Sequence, residues 1–175
     1  MINETHLFEI VRGSDADLPV VRRLADVIFP HTYASVLTPG QISYMMTWMY
    51  SPESLQRQLD EGQHLFLLLQ NGEPVGFMTV EPQEERLFHL QKIYVLPSQQ
   101  GRGAGKRLID TAIEFVRSSI AEGETAALEL NVNRKNSAVG FYEKMGFCID
   151  RSVDAAIGNG FYMNDYIMVK KITNG

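Results

Sequence analysis

The chain has 175 residues, of which 45% are hydrophobic and 21% are charged. This length and composition fit one globular domain better than two, and they exclude a disordered or collagen-like chain. The formal net charge of −5 argues against a protein that binds nucleic acid through a basic surface. The longest apolar run, residues 65–69, is far shorter than the roughly 20 residues of a membrane-spanning helix. We therefore expect a single domain without a nucleic-acid or membrane partner.

Cysteine and histidine are too few and too scattered for a structural metal site. Cys148 is the single cysteine and cannot form a disulfide within the chain, and the spacing of His6, His31, His64 and His89 is not that of metal ligands. The first ten residues contain no basic segment followed by an apolar one, as a secretory signal would. We expect no metal and a cytoplasmic location.

The first third of the chain predicts one short strand, residues 8–11, followed by three helices. In the first helix the apolar residues recur every three or four positions, as on one helix face: Leu18, Val21, Leu24, Ala25 and Ile28. We expect Ser14 or Asp15 to cap this helix and Pro30 to end it. Two further helices begin where a hydroxyl residue precedes a proline, the favoured order at a helix start, and these are Thr38-Pro39 and Ser51-Pro52.

From residue 64 the apolar pattern becomes that of strands. A hairpin is predicted around the turn Asn71-Gly72, and a third strand stops before Pro97. The elements from here on are strands at 65–70, 74–80 and 87–96, a long amphipathic helix ending near Gly123, a strand at 126–132, a short helix from Ala138, and strands at 147–156 and 161–172. This order predicts a mixed α/β fold in which helices cover a largely antiparallel sheet of about seven strands.

A glycine-rich loop leads from the third of these strands into the long helix. It contains Gln100, Gly101, Arg102, Gly103, Ala104, Gly105 and Lys106. Backbone amides and the positive helix end converge here without Cβ atoms in the way, which is typical of phosphate-binding sites. The spacing does not fit a nucleoside-triphosphate loop, because Arg107 stands where that loop needs Ser or Thr. It does not fit a dinucleotide loop either, because Lys106 or Leu108, depending on the register, stands where that loop needs Gly or Ala. We interpret the loop as a diphosphate site, with a plain tight turn as the alternative.

Two motifs resemble the GNAT superfamily of acyl-CoA-dependent N-acetyltransferases. The family signature is Gln or Arg, two residues, Gly, any residue, then Gly or Ala, and Gln100, Gly103 and Gly105 match it. KIYVLP at 92–97 is similar to the family's central strand, and NSAVGFYEKMGF at 136–147 to its second motif. The resemblance implies a GNAT-like sheet with helices on both faces. It also implies an enzyme that uses acetyl-CoA.

By this resemblance, the amides of residues 100–106 hold the pyrophosphate of acetyl-CoA. The backbone of Ile93, Tyr94 and Val95 bonds the pantetheine arm, as in strand addition to a free sheet edge. Asn131 and Asn136 are further candidate cofactor contacts. Asn136 would equally suit a helix N-cap.

Tyr142 matches the family tyrosine that protonates the departing thiolate. It also lies in the apolar stripe of its helix, so a purely structural role is the alternative. A general base is not identifiable from the sequence. Glu81, His89 and Glu129 are the candidates.

The resemblance places the acceptor between residues 32–50 and 153–166. In this region, aromatic residues could hold an ammonium group or belong to the core, and these are Tyr33, Tyr44, Trp48 and Tyr50. The tail at 158–170 resembles the branch that acetylates small amines and polyamines. We expect direct transfer in a ternary complex to a small primary amine, with a homodimer as one possibility. The alternatives are acetylation of a protein N-terminus or lysine, a CoA sensor without turnover, and a plain interaction domain.

Overall fold

A computed structural model describes residues 8–175 and contains a single mixed sheet within them. Its strands and helices are, in chain order, β1 (Phe8–Arg12), α1 (Leu18–Tyr33), α2 (Pro39–Tyr50), α3 (Pro52–Asp60), β2 (His64–Gln70), β3 (Glu73–Glu84), β4 (Leu87–Val95), α4 (Ala104–Ser118), β5 (Thr125–Asn133), α5 (Ala138–Lys144), β6 (Cys148–Gly158) and β7 (Phe161–Thr173). The predicted order of elements is confirmed.

Hydroxyl side chains cap α2 and α3, whereas the expectation that Ser14 or Asp15 caps α1 is wrong, because α1 begins after Asp17, whose side chain makes no capping hydrogen bond. A short 3-10 turn at Asp15–Asp17 precedes α1, and the backbone N–H of Ser14 donates to the Asp17 carboxylate at 2.9 Å. The side chains of Thr38 and Ser51 accept from backbone amides three residues on, each at 3.2 Å. The contacts of Thr38 and Ser51 satisfy amides that have no partner within their helices.

The prediction that Pro30 ends the first helix is wrong, because α1 continues through Pro30 to Tyr33. A proline inside a helix removes one N–H donor, here the one that would reach the carbonyl of Asp26. The turn beyond it is held by packing: Phe29 is buried and its ring centroid lies 4.7 Å from that of Tyr33. Tertiary contacts therefore outweigh the local preference of proline.

The seven strands of the described chain lie in the order β1-β2-β3-β4-β5-β7-β6, and every neighbouring pair is antiparallel except β4 with β5. Helices α4 and α5 pack on one face, where Leu108, Ile109 and Tyr142 join the core. Helices α1, α2 and α3 pack on the other face against Leu65, Leu67 and Phe77. None of the helices in residues 8–175 is long and apolar enough to cross a membrane.

The pairing of β4 with β5 stops halfway along both strands. It runs from Leu87 with Ala127 to Leu90 with Leu130 and no further. At the same point β4 contains a bulge, because Leu90 and Lys92 oppose consecutive residues of β3 and Gln91 is left over. A bulge bends its strand and increases the local twist. Beyond Leu90 the two strands separate, and the gap between them positions the site described next.

Candidate functional site

A cleft of about 710 Å³ opens between the separated ends of β4 and β5. The end of α1, the glycine loop with the start of α4, and the segment leading into α5 complete its walls. The site residues predicted from sequence that line it are Ile93, Tyr94, Val95, Gln100, Gly101, Gly103, Ala104, Gly105, Lys106, Asn131, Asn136 and Tyr142. Arg102 is exposed and does not line the cleft. The fold thus brings the two motifs together at one place.

The glycine loop presents its amides at the start of α4. Gly101 and Gly103 have φ of 79° and 82°, in the left-handed region that favours glycine, and Gly103 is the N-cap of the helix. The amide of Arg107 bonds the Gly103 carbonyl at 3.1 Å, so the three amides between them have no partner within the helix. Glycine at position 105 lets α5 pack closely on the start of α4, because a Cβ there would lie 3.1 Å from the Phe141 ring. Free amides at a positive helix end form an anion site.

Gln100 connects this loop to the end of β4. Its side-chain amide donates to the carbonyl of Val95 at 3.1 Å. The signature glutamine therefore fixes the loop relative to the strand, while the free donors of the loop are the backbone amides that follow it.

The two asparagines differ in their contacts. The Oδ1 atom of Asn136 accepts from the backbone of Ala138 at 2.9 Å, a contact at the start of α5, and its side chain also interacts with Tyr33. Asn131 is exposed in the cleft, and its amide donates to Asp165 at 3.3 Å. Asn136 orders the helix that carries Tyr142, whereas Asn131 faces the open cleft.

Tyr142 belongs both to the core and to the cleft wall. It is 8% exposed, and its ring centroid lies 6.0 Å from that of Phe147. Burial raises the pKa of Tyr142, with a smaller contribution from Tyr33 in the same direction. The phenol is therefore protonated at neutral and mildly alkaline pH, as a proton donor must be.

Of the four aromatic residues considered for the acceptor side, only Tyr33 lines the cleft. Tyr50 is fully buried in the core, and the hydroxyl of Tyr44 donates to the Ile157 carbonyl at 2.6 Å. Trp48 is 42% exposed, away from the cleft. An aromatic wall made of all four residues is therefore wrong, because α2 turns Tyr50 into the core, Tyr44 towards Ile157 of β6 and Trp48 to the surface.

The comparison with known families decides the class of this fold. Residues 33–168 match the family described as acetyltransferase (GNAT) domain. The chain belongs to this family. The family resemblance and the GNAT fold expected from the sequence are thereby confirmed, and the chain is a GNAT acetyltransferase.

Several proteins are similar to this acetyltransferase. Peptidyl-lysine N-acetyltransferase YjaB of Salmonella typhimurium is 40% identical over 76 residues, which make up 43% of each protein, so the match spans less than half of YjaB. An uncharacterized N-acetyltransferase of Mycobacterium bovis is 27% identical over 82% of this chain and 90% of its own. The PaiA N-acetyltransferase from Thermoplasma acidophilum, solved with coenzyme A, superposes with a TM-score of 0.76 at 24% identity, covering 94% of this chain and 98% of that one.

The three general-base candidates of the acetyltransferase lie outside the cleft lining. The Nδ1 atom of His89 and Oε1 of Glu129 are 3.2 Å apart at paired positions of β4 and β5, and Arg151 lies 3.9 Å from Glu129. Glu81 accepts a hydrogen bond from Gln91 at 2.8 Å. His89 and Glu129 thus form one nearly buried pair, next to the point where β4 and β5 separate.

Lys92 also lines the cleft, although it was not among the site residues predicted from the sequence. It is 7% exposed, donates to Gln58 and, at 3.3 Å, to Gln63, and its Nζ lies 5.8 Å from the centroid of the Tyr50 ring. Burial lowers the pKa of Lys92 to about 8, against an opposing effect of Glu81. The sequence carries no local signal for its burial, because Lys92 follows the polar residues His89 and Gln91 in the same strand.

Metal-binding side chains do not cluster in the part of the chain that the structure describes. No three or more His, Cys, Asp or Glu residues lie together there. His6 lies outside the described residues.

Proposed function

We propose that this GNAT acetyltransferase transfers the acetyl group of acetyl-CoA to a primary amine, by direct transfer in a ternary complex within one domain. The observation that carries the proposal is the cleft between β4 and β5. It joins an anion site to a buried phenol and to a stretch of β4 backbone that has no partner on β5.

The residues of the cleft fit the chemistry of coenzyme A. The amides of residues 101–106 would hold the diphosphate, with Arg102 and Lys106 adding positive charge. Gln100 would keep the loop in place through Val95. The backbone of Ile93, Tyr94 and Val95, which has no partner on β5, would bond the pantetheine arm in the gap. The coenzyme A bound to the similar PaiA enzyme supports this assignment.

In addition to the acyl transfer, the proposed reaction needs two proton transfers. The neutral amine attacks the thioester carbonyl, a C–N bond forms, and the C–S bond breaks. Tyr142 would give its proton to the departing thiolate, and a base or water would accept the surplus proton of the amine. A backbone N–H of β4 in the gap would stabilise the developing oxyanion, an effect of about 3 kcal/mol for one such donor.

For the acceptor we propose a small primary amine such as a polyamine. The second candidate is a lysine or N-terminus of a protein, which the similarity to the peptidyl-lysine enzyme YjaB supports. We also propose a cytoplasmic location, which suits the free and exposed Cys148. The largely exposed strand β6 at the sheet edge is compatible with a homodimer.

A thiol-release assay with a panel of amines tests the proposal. The panel contains a diamine, a monoamine, a lysine-containing peptide and a peptide with a free N-terminus. We expect acceptor-dependent release of CoA and a product heavier by one acetyl group in mass spectrometry. Because Cys148 is an exposed thiol, the assay is run with Cys148→Ser as well. Tight CoA binding without turnover of any acceptor would favour a sensor, and no CoA binding at all would refute the proposal.

A further inference from the structure

A buried carboxylate lies behind the cleft wall that β5 and α1 form. Asp165 of β7 is 3% exposed and sits opposite Asn133 of β5 and Val153 of β6. The even-numbered residues of β5 from Ala126 to Val132 all belong to the core with α4, so Asn131 and Asn133 point to the opposite face. Asp165 shares that face, because its carboxylate accepts from the amide of Asn131 at 3.3 Å.

The charge of Asp165 is poorly compensated. Within residues 8–175, no Lys, Arg or His nitrogen lies within 4.0 Å of its carboxylate, whereas Glu129 on the same sheet face has both His89 and Arg151. Arg134 bonds the backbone carbonyl of Asp165 at 3.3 Å but forms its ion pair with Asp154, at 2.6 Å. Burial raises the pKa of Asp165, and the bond from Asn131 and the charge of Arg134 only partly offset this. A buried anion of this kind favours a nearby cation.

Two cleft-lining side chains connect this carboxylate to the cleft. Asn131 contacts it directly, and Tyr33, at the end of α1, experiences its charge. Because the carboxylate itself is buried, solvent screens its charge less than that of an exposed group, and it acts on a cation in the cleft from one side chain behind the wall. The face of the Tyr33 ring would add a cation–π contribution.

The positive groups of the cleft do not cancel this effect. Lys106 and Lys135 are exposed, so solvent and salt screen their charges, and Lys106 also pairs with Asp110 at 2.8 Å. Lys92 is held by Gln58 and Gln63 on the side of α3. The cleft is therefore basic at the glycine loop and anionic at the wall of Asn131 and Tyr33.

We propose that Asp165 makes the acetyltransferase select acceptors that carry a second positive charge. The reacting amine lies beside β4, and the second ammonium group binds against Asn131 and Tyr33, in the field of Asp165. Diamines and polyamines then bind better than monoamines or amines with a carboxylate. This inference rests on the proposed acetyl transfer to amines.

Three acceptors that differ in one terminal group test it. Putrescine, pentylamine and δ-aminovalerate share an amino group on the same four-methylene chain and end in an ammonium, a methyl and a carboxylate group. For the wild type we expect kcat/KM to be at least about tenfold higher with putrescine than with pentylamine, and lowest with δ-aminovalerate.

Asp165→Asn keeps the shape of the side chain and removes its charge. We expect it to lower kcat/KM for putrescine at least about tenfold, mainly through KM, while pentylamine changes by less than about threefold. Asp150→Asn is the matched control, because Asp150 is an exposed aspartate of β6 that pairs with Arg151. It should leave the preference for putrescine unchanged. Asp165→Glu, which keeps the charge, should also keep the preference for putrescine.

Three outcomes would overturn the inference, and a fourth would contradict the proposed function. Equal losses with all three acceptors in a folded Asp165→Asn enzyme would overturn the inference in favour of a structural role. A wild type that acetylates amines without preferring putrescine would overturn it too, whether or not the variants fold. A folded Asp165→Glu enzyme without the preference would do the same. A wild type that binds CoA but acetylates none of the three amines would contradict the proposed function on small amines instead.

Discussion

Tyr142 combines two roles that one substitution can separate. Tyr142→Phe removes only the hydroxyl group, so the ring contacts with Phe141 and Phe147 remain. If the phenol protonates the thiolate, kcat should fall roughly a hundredfold while the Kd for acetyl-CoA stays within about twofold. Steady-state kinetics and calorimetry measure the two quantities. An unchanged kcat, where chemistry limits the rate, would remove the proposed donor role.

Lys92 makes stability depend on pH. Its pKa is about 8 in the folded chain against 10.5 ordinarily, so between these values the unfolded chain binds a proton that the folded chain has lost. Stability therefore rises with pH across this window, and the full difference corresponds to roughly 3 kcal/mol. Below pH 8 the penalty for burying the charge is fully present.

Lys92→Met should abolish this contribution. We expect the free energy of unfolding of the wild type, relative to this variant, to increase between about pH 7 and about pH 10, measured by urea denaturation. Lys171→Met, which removes an exposed lysine of β7, is the control and should show no such trend. A difference between wild type and Lys92→Met that is independent of pH would contradict the assigned burial effect.

At the residue scale, the sequence was sufficient to predict the site residues that lie in short local motifs. Gln100, Gly103 and Tyr142 lie in local motifs, and all three line the cleft. Lys92 and Asp165 were missed because their environment is made by distant partners: Gln58 and Asn131 are each 34 positions away. Burial of a charge is a tertiary property, and no local pattern encodes it.

At the scale of elements, the starts of α2 and α3 were predictable, but the start of α1 and the irregularities were not. Thr38-Pro39 and Ser51-Pro52 cap their helices as expected. The bulge at Gln91, which opens the cleft, exists only in the register of β4 against β3. Likewise, the continuation of α1 beyond Pro30 depends on packing and brings Tyr33 to the cleft.

The start of α4 allows a controlled test of the anion site. Gly103 and Gly123 have φ of 82° and 83°, and a Cβ at either would meet no protein atom within 4 Å. Valine at either position should therefore cost a similar backbone strain, about 1–2 kcal/mol of stability. Only Gly103→Val should also lower CoA affinity, at least about tenfold, because its side chain would occupy the phosphate position. Equal CoA affinity of the two folded variants in calorimetry would contradict the loop assignment.

At the scale of the whole molecule, the apolar patterns were sufficient to predict a mixed, largely antiparallel sheet covered by helices, and the family resemblance added that the helices lie on both faces. It did not give the strand order, in which β7 lies between β5 and β6 and β4 pairs in parallel with β5. These contacts join segments far apart in sequence. They divide the sheet into β1–β4 and β5–β7, joined by four residue pairs of β4 and β5. The cleft opens where this junction ends, so a molecule bound there would contact both halves of the sheet.

A ligand that bridges the two halves should stabilise the whole fold. Coenzyme A at about one hundred times its Kd should add about 2.7 kcal/mol to the free energy of unfolding. For a chain of this size that corresponds to a rise in melting temperature of roughly 5–10 °C. Calorimetric melting of the wild type and of the two glycine variants checks this: the wild type and Gly123→Val should show the rise, and Gly103→Val should show much less at the same CoA concentration. A wild-type melting temperature that stays constant up to millimolar CoA would contradict both the bridging position and the proposed co-substrate.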